Sequence, residues 1–95
     1  MLVLNRKSQQ KVCIGIGLKQ PNDKPEYVVT VIDVNSPYTR IEVEHLGVSR
    51  THNLVPLETV RLNDVIVMQV TSINFKEVKL AFDAPKDYRI LRGEL

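Results

Sequence analysis

The side chains best suited to chemistry in this chain of 95 residues are two histidines, one cysteine and a few serines. His45 follows Glu42 and Glu44 in an alternating segment, so Glu44 and His45 project to opposite faces of a strand. Neither His45 nor His52 has a third ligand at a metal-binding spacing. Cys13 is the only cysteine and stands among apolar residues, which excludes an intramolecular disulfide and favours a small core side chain. We therefore predict no metal site.

Motifs for catalysis and cofactor binding are also missing from the sequence. Gly15-Ile16-Gly17 lacks the third glycine and the following helix of a dinucleotide-binding loop. The serines lack the flanking glycines of a nucleophile elbow; these are Ser8, Ser36, Ser49 and Ser72. Glu42 and Glu44 share one polar strand face, where acidic side chains are usually solvated. The sequence therefore favours a protein that is not an enzyme and uses no cofactor.

Positive charge is concentrated at the two ends of the chain, although the formal net charge is only +2. Residues 1–15 and 64–95 together carry eight basic and five acidic residues, whereas residues 16–63 carry five basic and six acidic residues. An anion-binding surface built from both ends would need this distribution. A chance imbalance of surface charge would produce the same numbers, so charge alone does not identify a partner.

Alternation of apolar and polar residues at a period of two dominates the chain. It predicts strands at 2–7, 12–14, 26–32, 40–44, 65–70, 78–82 and 88–92. No segment of ten or more residues keeps a helical period, and the best helical candidate, Leu57 to Leu62, is too short to be stable alone. The connections are too short for crossover helices. We therefore expect a single all-β domain, residues 1–95, with antiparallel strands.

Two connectors and one internal similarity organise the middle of the chain. A loop rich in glycine and proline is predicted at 15–25, and a second connector at 54–63. The strand–turn–strand block at 26–44 recurs at 64–83, with an offset of roughly 37–39 residues. Three matches share one register: Val29 with Met68, Val31 with Val70, and Ile41 with Leu80. Duplication would explain this similarity, and so would two unrelated alternating hairpins.

Signals for membranes and secretion are not found in the sequence. No apolar run approaches the roughly 18–20 residues that a membrane span needs. The first residues alternate as a strand does and lack the basic stretch, apolar run and small-residue cleavage site of a secretory signal. We therefore expect a cytoplasmic location and no membrane partner.

Two motifs at the ends of the chain resemble a known bacterial family. Met1 to Gly15 (MLVLNRKSQQKVCIG) is similar to the opening of the carbon storage regulators, in which Met-Leu-Ile/Val-Leu-Thr/Ser-Arg-Lys/Arg precedes a Gly-Glu turn and an apolar-x-Ile-Gly strand. Asp64 to Leu95 resembles the rest of the family domain, with the signature Ala84-Pro85-Lys86 and a last strand ending in Leu91-Arg92. Residues 16–63 then form an insertion, interpreted as an added β-hairpin or a degenerate repeat.

The resemblance implies a small antiparallel β-sandwich or barrel that binds messenger RNA. Family members are intertwined dimers in which the first strand of one subunit lies beside the last strand of the other. GGA-containing hairpin loops bind along that pair, and translation is modulated as a result. Carried over by position, the RNA-binding residues are Leu4, Arg6 and Lys7 of the first strand and Arg89, Ile90, Leu91 and Arg92 of the last. A content of only 5% aromatic residues disfavours recognition by base stacking.

Several departures from the family pattern affect these expectations. Asn5 replaces a hydroxyl residue, Gln9 replaces a turn glycine, and the family's C-terminal helix is expected to be missing. The insertion contains no Ala-Pro-Lys triplet and no arginine in register with Arg92. If it is a degenerate repeat, it supplies strands that a second subunit normally provides. We then expect either a pseudo-dimeric monomer or an altered strand-swapped homodimer, with fewer RNA sites than two.

Two alternatives remain open from the sequence. Arg6, Lys7 and Arg92 are also the kind of solvated charges that keep edge strands from aggregating. The same β-framework could also have lost RNA binding and serve as a protein-interaction or scaffold module, for example with a protein antagonist as partner.

Overall fold

Nine antiparallel strands form in the part of the chain that the structure describes. A computed structural model describes residues 1–20 and 23–93. The strands are β1 (Leu2–Lys7), β2 (Lys11–Ile16), β3 (Tyr27–Asn35), β4 (Tyr38–His45), β5 (Val48–Leu54), β6 (Thr59–Arg61), β7 (Val67–Ile73), β8 (Glu77–Asp83) and β9 (Tyr88–Arg92). The described part of the chain contains no helix, so none that is long and apolar enough to span a membrane. The expected all-β antiparallel fold is confirmed.

The strands form two sheets. Sheet I has the order β1-β8-β7-β6, and sheet II has the order β5-β4-β3-β2-β9. Because side chains alternate across a strand, every second residue faces the other sheet. The core forms between these inner faces, and its completely buried members include Val29, Val31, Ile41, Met68, Val70 and Leu80. Burial of such a side chain contributes about 1.5–3 kcal/mol, so these pairs of central strands provide much of the stability.

The strand pairings of the first half of the chain recur in the second half. β3 pairs with β4 in the same register as β7 with β8, with positions 39 residues apart. A bulge follows Val31 in the first hairpin and Val70 in the second. The pairing of β1 with β8 recurs as that of β5 with β4, and the pairing of β2 with β3 recurs as that of β6 with β7. Equivalent positions of β1 and β5, and of β2 and β6, are 48 residues apart. The three sequence matches from Val29, Val31 and Ile41 therefore occupy equivalent core positions in the two sheets.

The turn that follows the first strand of each half is also repeated in detail. Gln9 N donates to Val31 O at 2.6 Å, and Leu57 N donates to Val70 O at 2.6 Å. Both residues are in the left-handed region, with φ of 70° for Gln9 and 77° for Leu57. The next residue accepts from the same strand in each case: Val31 N donates to Gln10 O and Val70 N to Glu58 O, both at 3.0 Å. This turn explains why a glycine would be favoured at position 9.

One strand has no equivalent in the first half. β8 leads through Ala84 to Asp87 into β9, which pairs with β2 at the edge of sheet II. β4 instead passes through the two-residue turn Leu46-Gly47 directly into β5. Gly47 has φ of 78°, which a glycine adopts without strain. Sheet I consequently has four strands and sheet II has five.

The segment 16–63 contains more structure than the sequence predicts. The expected hairpin is present as β3 and β4. It is followed by β5, in residues for which no element was predicted, and by β6, within the predicted connector at 54–63. β5 has mostly exposed residues on both faces, so it lacks the apolar alternation that identifies a strand. The loop between β2 and β3 contains the predicted turn residues, of which 21 and 22 lie outside the described residues.

Candidate functional site

The two ends of the chain meet at one side of the sandwich. β1 is the edge strand of sheet I, and β9 is the edge strand of sheet II. They do not form a ladder with each other; instead, β9 pairs with β2, which follows β1 after a tight turn. We call the surface formed by residues 1–7 and 84–93 the β1–β9 edge. The elements that the sequence places at its RNA-binding site are therefore neighbours within one chain.

Arg6 links the two strands of this edge through β2. The Arg6 side chain is only 4% exposed. Its Nε donates to Asn5 O at 2.7 Å, and its Nη1 donates to Lys11 O at 3.2 Å. Gly93, directly after β9, donates its backbone N–H to the same Lys11 oxygen at 2.9 Å. The Arg6 guanidinium therefore lies where the end of β9 joins the start of β2.

The predicted site residues divide into buried and accessible groups. The side chains of Leu4 (6% exposed) and Arg6 face the other sheet, because they have the same parity on β1. As folded, neither side chain is on the surface, and their role in RNA binding stays a prediction. Lys7, Arg89 and Arg92 are exposed, and Ile90 and Leu91 are partly buried.

The register shows which face each residue of β9 occupies. Arg92 lies opposite Val12, and Ile90 lies opposite Ile14. Directly opposed residues project to the same face, and Val12 and Ile14 belong to the core. Arg92 therefore projects from the inner side of sheet II at its edge, as Arg6 does from sheet I. Arg89 lies opposite Gly15 and Leu91 opposite Cys13, on the outer face.

A groove of about 350 Å³ lies between the start of β1 and the start of β9. Its lining includes the predicted residues Arg89 and Ile90. It also includes residues that the sequence reasoning did not select: Met1, Leu2, Lys86 and Tyr88. Lys86 belongs to the Ala-Pro-Lys signature, and that motif is the sequence signal that would place it at this site. The edge thus combines exposed basic side chains with a shallow, partly apolar recess.

Close packing at Gly93 fixes the end of β9. A Cβ added at Gly93 would lie 2.6 Å from Lys11 Cβ and 3.2 Å from the Lys11 carbonyl carbon. No real Cβ comes that close to its neighbours, and neither atom is the far end of a flexible side chain. Glycine is therefore required for the hydrogen bond between Gly93 and Lys11 to form as it does.

The other chemically capable residues have structural partners. His45 stacks on Tyr27 with ring centroids 4.3 Å apart, and its Nδ1 lies 2.9 Å from Glu26 O. Cys13 is buried, and the loss of hydration raises the pKa of its thiol, an effect that the charge of Lys11 partly opposes. Across residues 1–20 and 23–93, no group of three histidine, cysteine or carboxylate side chains is placed to hold a metal ion.

The comparison with protein families agrees with this architecture. Residues 55–95 match the family model described as CsrA, the global regulator protein family. The match covers β6 to β9 and includes one of the two strands of the β1–β9 edge. No curated protein and no solved structure matches the chain significantly. Residues 55–95 are therefore similar to the carbon storage regulator family, whose members are non-enzymatic regulators that generally bind RNA, and the two antiparallel sheets support that similarity.

Proposed function

We propose that this protein binds GGA-containing loops of messenger RNA along the β1–β9 edge and thereby modulates translation in the cytoplasm. The observation that carries the proposal is the meeting of both ends of the chain at Lys11, where Arg6 and Gly93 donate to one carbonyl oxygen. This contact brings the arginines of β9 beside β1 without a second subunit.

The accessible groups of the edge suit single-stranded RNA. The guanidinium groups of Arg89 and Arg92 present forked donors, which match phosphate oxygens and the exposed base edges of a loop. Lys7 adds a point charge at the end of β1. Because such contacts release counterions, the affinity should fall as salt concentration rises.

The buried side chains of the predicted site do not contact RNA but hold β1 and β9 in position for RNA binding. Leu4 packs in the core, and Arg6 holds Lys11 O and Asn5 O. We assign both a positioning role, in which they set the distance between β1 and β9. Ile90 packs against the core from the other strand and Leu91 lies beside it. The two strands then present backbone and basic side chains to the same nucleotides.

The repeated registers support one site on each chain. β1 to β4 and β5 to β8 have equivalent pairings, so one chain supplies the two sheets that a strand-swapped homodimer of the family would supply with two. Among the described strands only β9 has the place of a last strand, and it lies at the same side of the sandwich as β1. We therefore propose a pseudo-dimeric monomer with one RNA site, formed by duplication.

An electrophoretic shift assay with a GGA stem-loop tests the proposal. Wild type, Arg92→Ala and the matched control Lys79→Ala are compared at low salt; Lys79 is an exposed cation of β8 outside the edge. We expect wild type and Lys79→Ala to bind alike and Arg92→Ala to bind more weakly. If wild type binds no RNA but co-purifies with a protein, the scaffold alternative replaces this proposal.

A further inference from the structure

β6 leaves one edge of sheet I open. Glu58 O accepts from Val70 N at 3.0 Å, and Leu62 N donates to Ile66 O at 2.9 Å, so residues 58, 60 and 62 are those that bond to β7. In an antiparallel pair the intervening residues direct their N–H and C=O groups away from the partner. The backbone groups of Thr59 and Arg61 therefore point to the open edge, and both residues are exposed.

A groove of about 480 Å³ runs beside this edge, between β6 of sheet I and β5 of sheet II. We call it the β5–β6 groove. It is lined by Tyr27, Val43, His45, Leu46, Val48, Arg50, His52, Val60, Arg61 and Leu62. These ten lining residues include two arginines and no carboxylate. Leu46 and Val48 at its rim are 82% and 60% exposed. The groove is thus mainly apolar, with positive charge at its sides.

Comparison of β6 with its equivalent strand β2 shows what shape of ligand this groove fits. By register, Val60 and Leu62 are equivalent to Val12 and Ile14. Val12 and Ile14 are completely buried, because β9 lies beside β2. Val60 and Leu62 are only partly buried, because β6 has β7 on one side and no described strand on the other. The groove therefore occupies the position that an antiparallel strand fills in the other half.

We propose that the β5–β6 groove binds an extended peptide segment of a partner protein, with alternating apolar and acidic side chains, which adds to β6 as the fifth strand of sheet I. The backbone groups of Thr59 and Arg61 would pair with the segment, as strand addition requires. Apolar side chains would cover Val60 and Leu62, and acidic side chains would meet Arg50 and Arg61.

The charge of the groove selects this occupant. The last strand of a second copy would bring Arg89 and Arg92 toward Arg50 and Arg61, and like charges this close are unfavourable. RNA would pair its phosphates with the arginines but would leave the apolar floor unmatched. An extended peptide with apolar and acidic side chains pairs with the arginines, covers the apolar floor and bonds to the free backbone groups of β6.

This interaction is separate from RNA binding. None of the groove residues belongs to the β1–β9 edge. A protein that binds no RNA could still bind the peptide, so the two proposals can fail independently.

The test uses a fluorescein-labelled nonapeptide of alternating valine and glutamate, with fluorescence anisotropy as the readout on the full chain. Two control peptides replace each glutamate by lysine or the central residue by proline. The protein variants are Arg50→Ala, Thr59→Pro and the matched control Lys79→Ala. Proline at position 59 removes the N–H that faces the open edge, and edge strands tolerate proline at such a position. Amide chemical shifts of the labelled protein locate the bound peptide.

We expect saturable binding of the glutamate peptide, weaker binding of both control peptides, and shifts at Thr59, Val60 and Arg61. Arg50→Ala should weaken binding roughly two- to fivefold, as an exposed ion pair does. Thr59→Pro should weaken it about tenfold, through one lost hydrogen bond. Equal binding of the lysine peptide, shifts confined to other surfaces, or perturbation of these amides by the GGA stem-loop instead of the peptide would overturn the proposal.

Discussion

Arg6 and Gly93, 87 positions apart in the sequence, donate to the same acceptor, the carbonyl oxygen of Lys11. Arg6 approaches from sheet I and Gly93 from sheet II, so Lys11 joins the edges of both sheets. A carbonyl oxygen has two lone pairs and accepts both donors. This shared acceptor sets how the first and last strands are placed relative to each other.

Replacing Arg6 should destabilise the protein as well as weaken RNA binding. Arg6→Ala removes a buried guanidinium and its bonds to Asn5 O and Lys11 O. We expect the free energy of unfolding to fall by about 1–3 kcal/mol. Urea denaturation followed by circular dichroism measures this change. Lys7→Ala, at the exposed neighbouring position, is the control and should change stability by less than about 0.5 kcal/mol. Equal stability of the two variants would contradict the positioning role of Arg6.

Gly93→Ala should separate the end of β9 from β2. The added methyl group would lie 2.6 Å from Lys11 Cβ, so the chain must move and the bond to Lys11 O must lengthen. We expect a loss of about 1–3 kcal/mol in stability together with reduced affinity for a GGA stem-loop. Gly47→Ala is a useful contrast, because its φ of 78° makes alanine unfavourable in a turn far from the β1–β9 edge. It should lower stability while leaving RNA affinity unchanged.

The two equivalent turns offer a test of the repeated architecture. Gln9 and Leu57 both adopt left-handed backbone conformations, which cost a residue with a Cβ roughly 1–2 kcal/mol. Glycine avoids that cost but loses more entropy on folding. We expect Leu57→Gly to stabilise the fold by about 0.5–1 kcal/mol, measured by thermal or chemical denaturation. Gln9→Gly should stabilise it less, because the Gln9 side chain donates to Ile32 O at 2.9 Å and glycine loses that bond. A destabilising effect at position 57 would show that the turn is not built as described.

Much of the framework could be predicted from the sequence, because alternation identifies strands whose inner face is apolar. The matched positions Val29 and Met68 are both completely buried. β5 could not be predicted, since Ser49 to Asn53 is polar on both faces and pairs through its backbone. β6 has only three residues, and the apolar spacing from Leu57 to Leu62 resembles a helix as much as a strand.

Alternation in the sequence predicts the strands that meet at the β1–β9 edge, but it does not predict which of their side chains are accessible. Arg6 has the same parity as Leu4, so alternation alone places its side chain toward the core. An arginine is rarely buried without partners, and the partners of Arg6 include backbone oxygens of Asn5 and, on the next strand, of Lys11. No sequence pattern identifies such an acceptor. The open edge of β6 was likewise not predictable. β9 follows β8 and covers β2, whereas β4 leads directly into β5, so no equivalent strand of the described residues covers β6.

The titration of Cys13 should couple stability to alkaline pH. Burial raises the pKa of this thiol above its ordinary value. As pH rises past that ordinary value, the thiol ionises first in the unfolded chain, which favours unfolding. The stability of wild type should therefore fall relative to Cys13→Ala between neutral pH and about pH 10, with chemical denaturation as the measurement. A pH-independent difference between the two proteins would contradict this coupling.

The most direct test of the central claim is the stoichiometry of RNA binding, measured by native mass spectrometry with a GGA stem-loop. If β1 and β9 of one chain form the site, the complex contains one RNA and one chain of 10.8 kDa. Arg92→Ala should then weaken the complex by about 1–3 kcal/mol without changing this ratio. A dimer that binds two equivalent RNA molecules, or an affinity that Arg92→Ala leaves unaltered, would contradict the account.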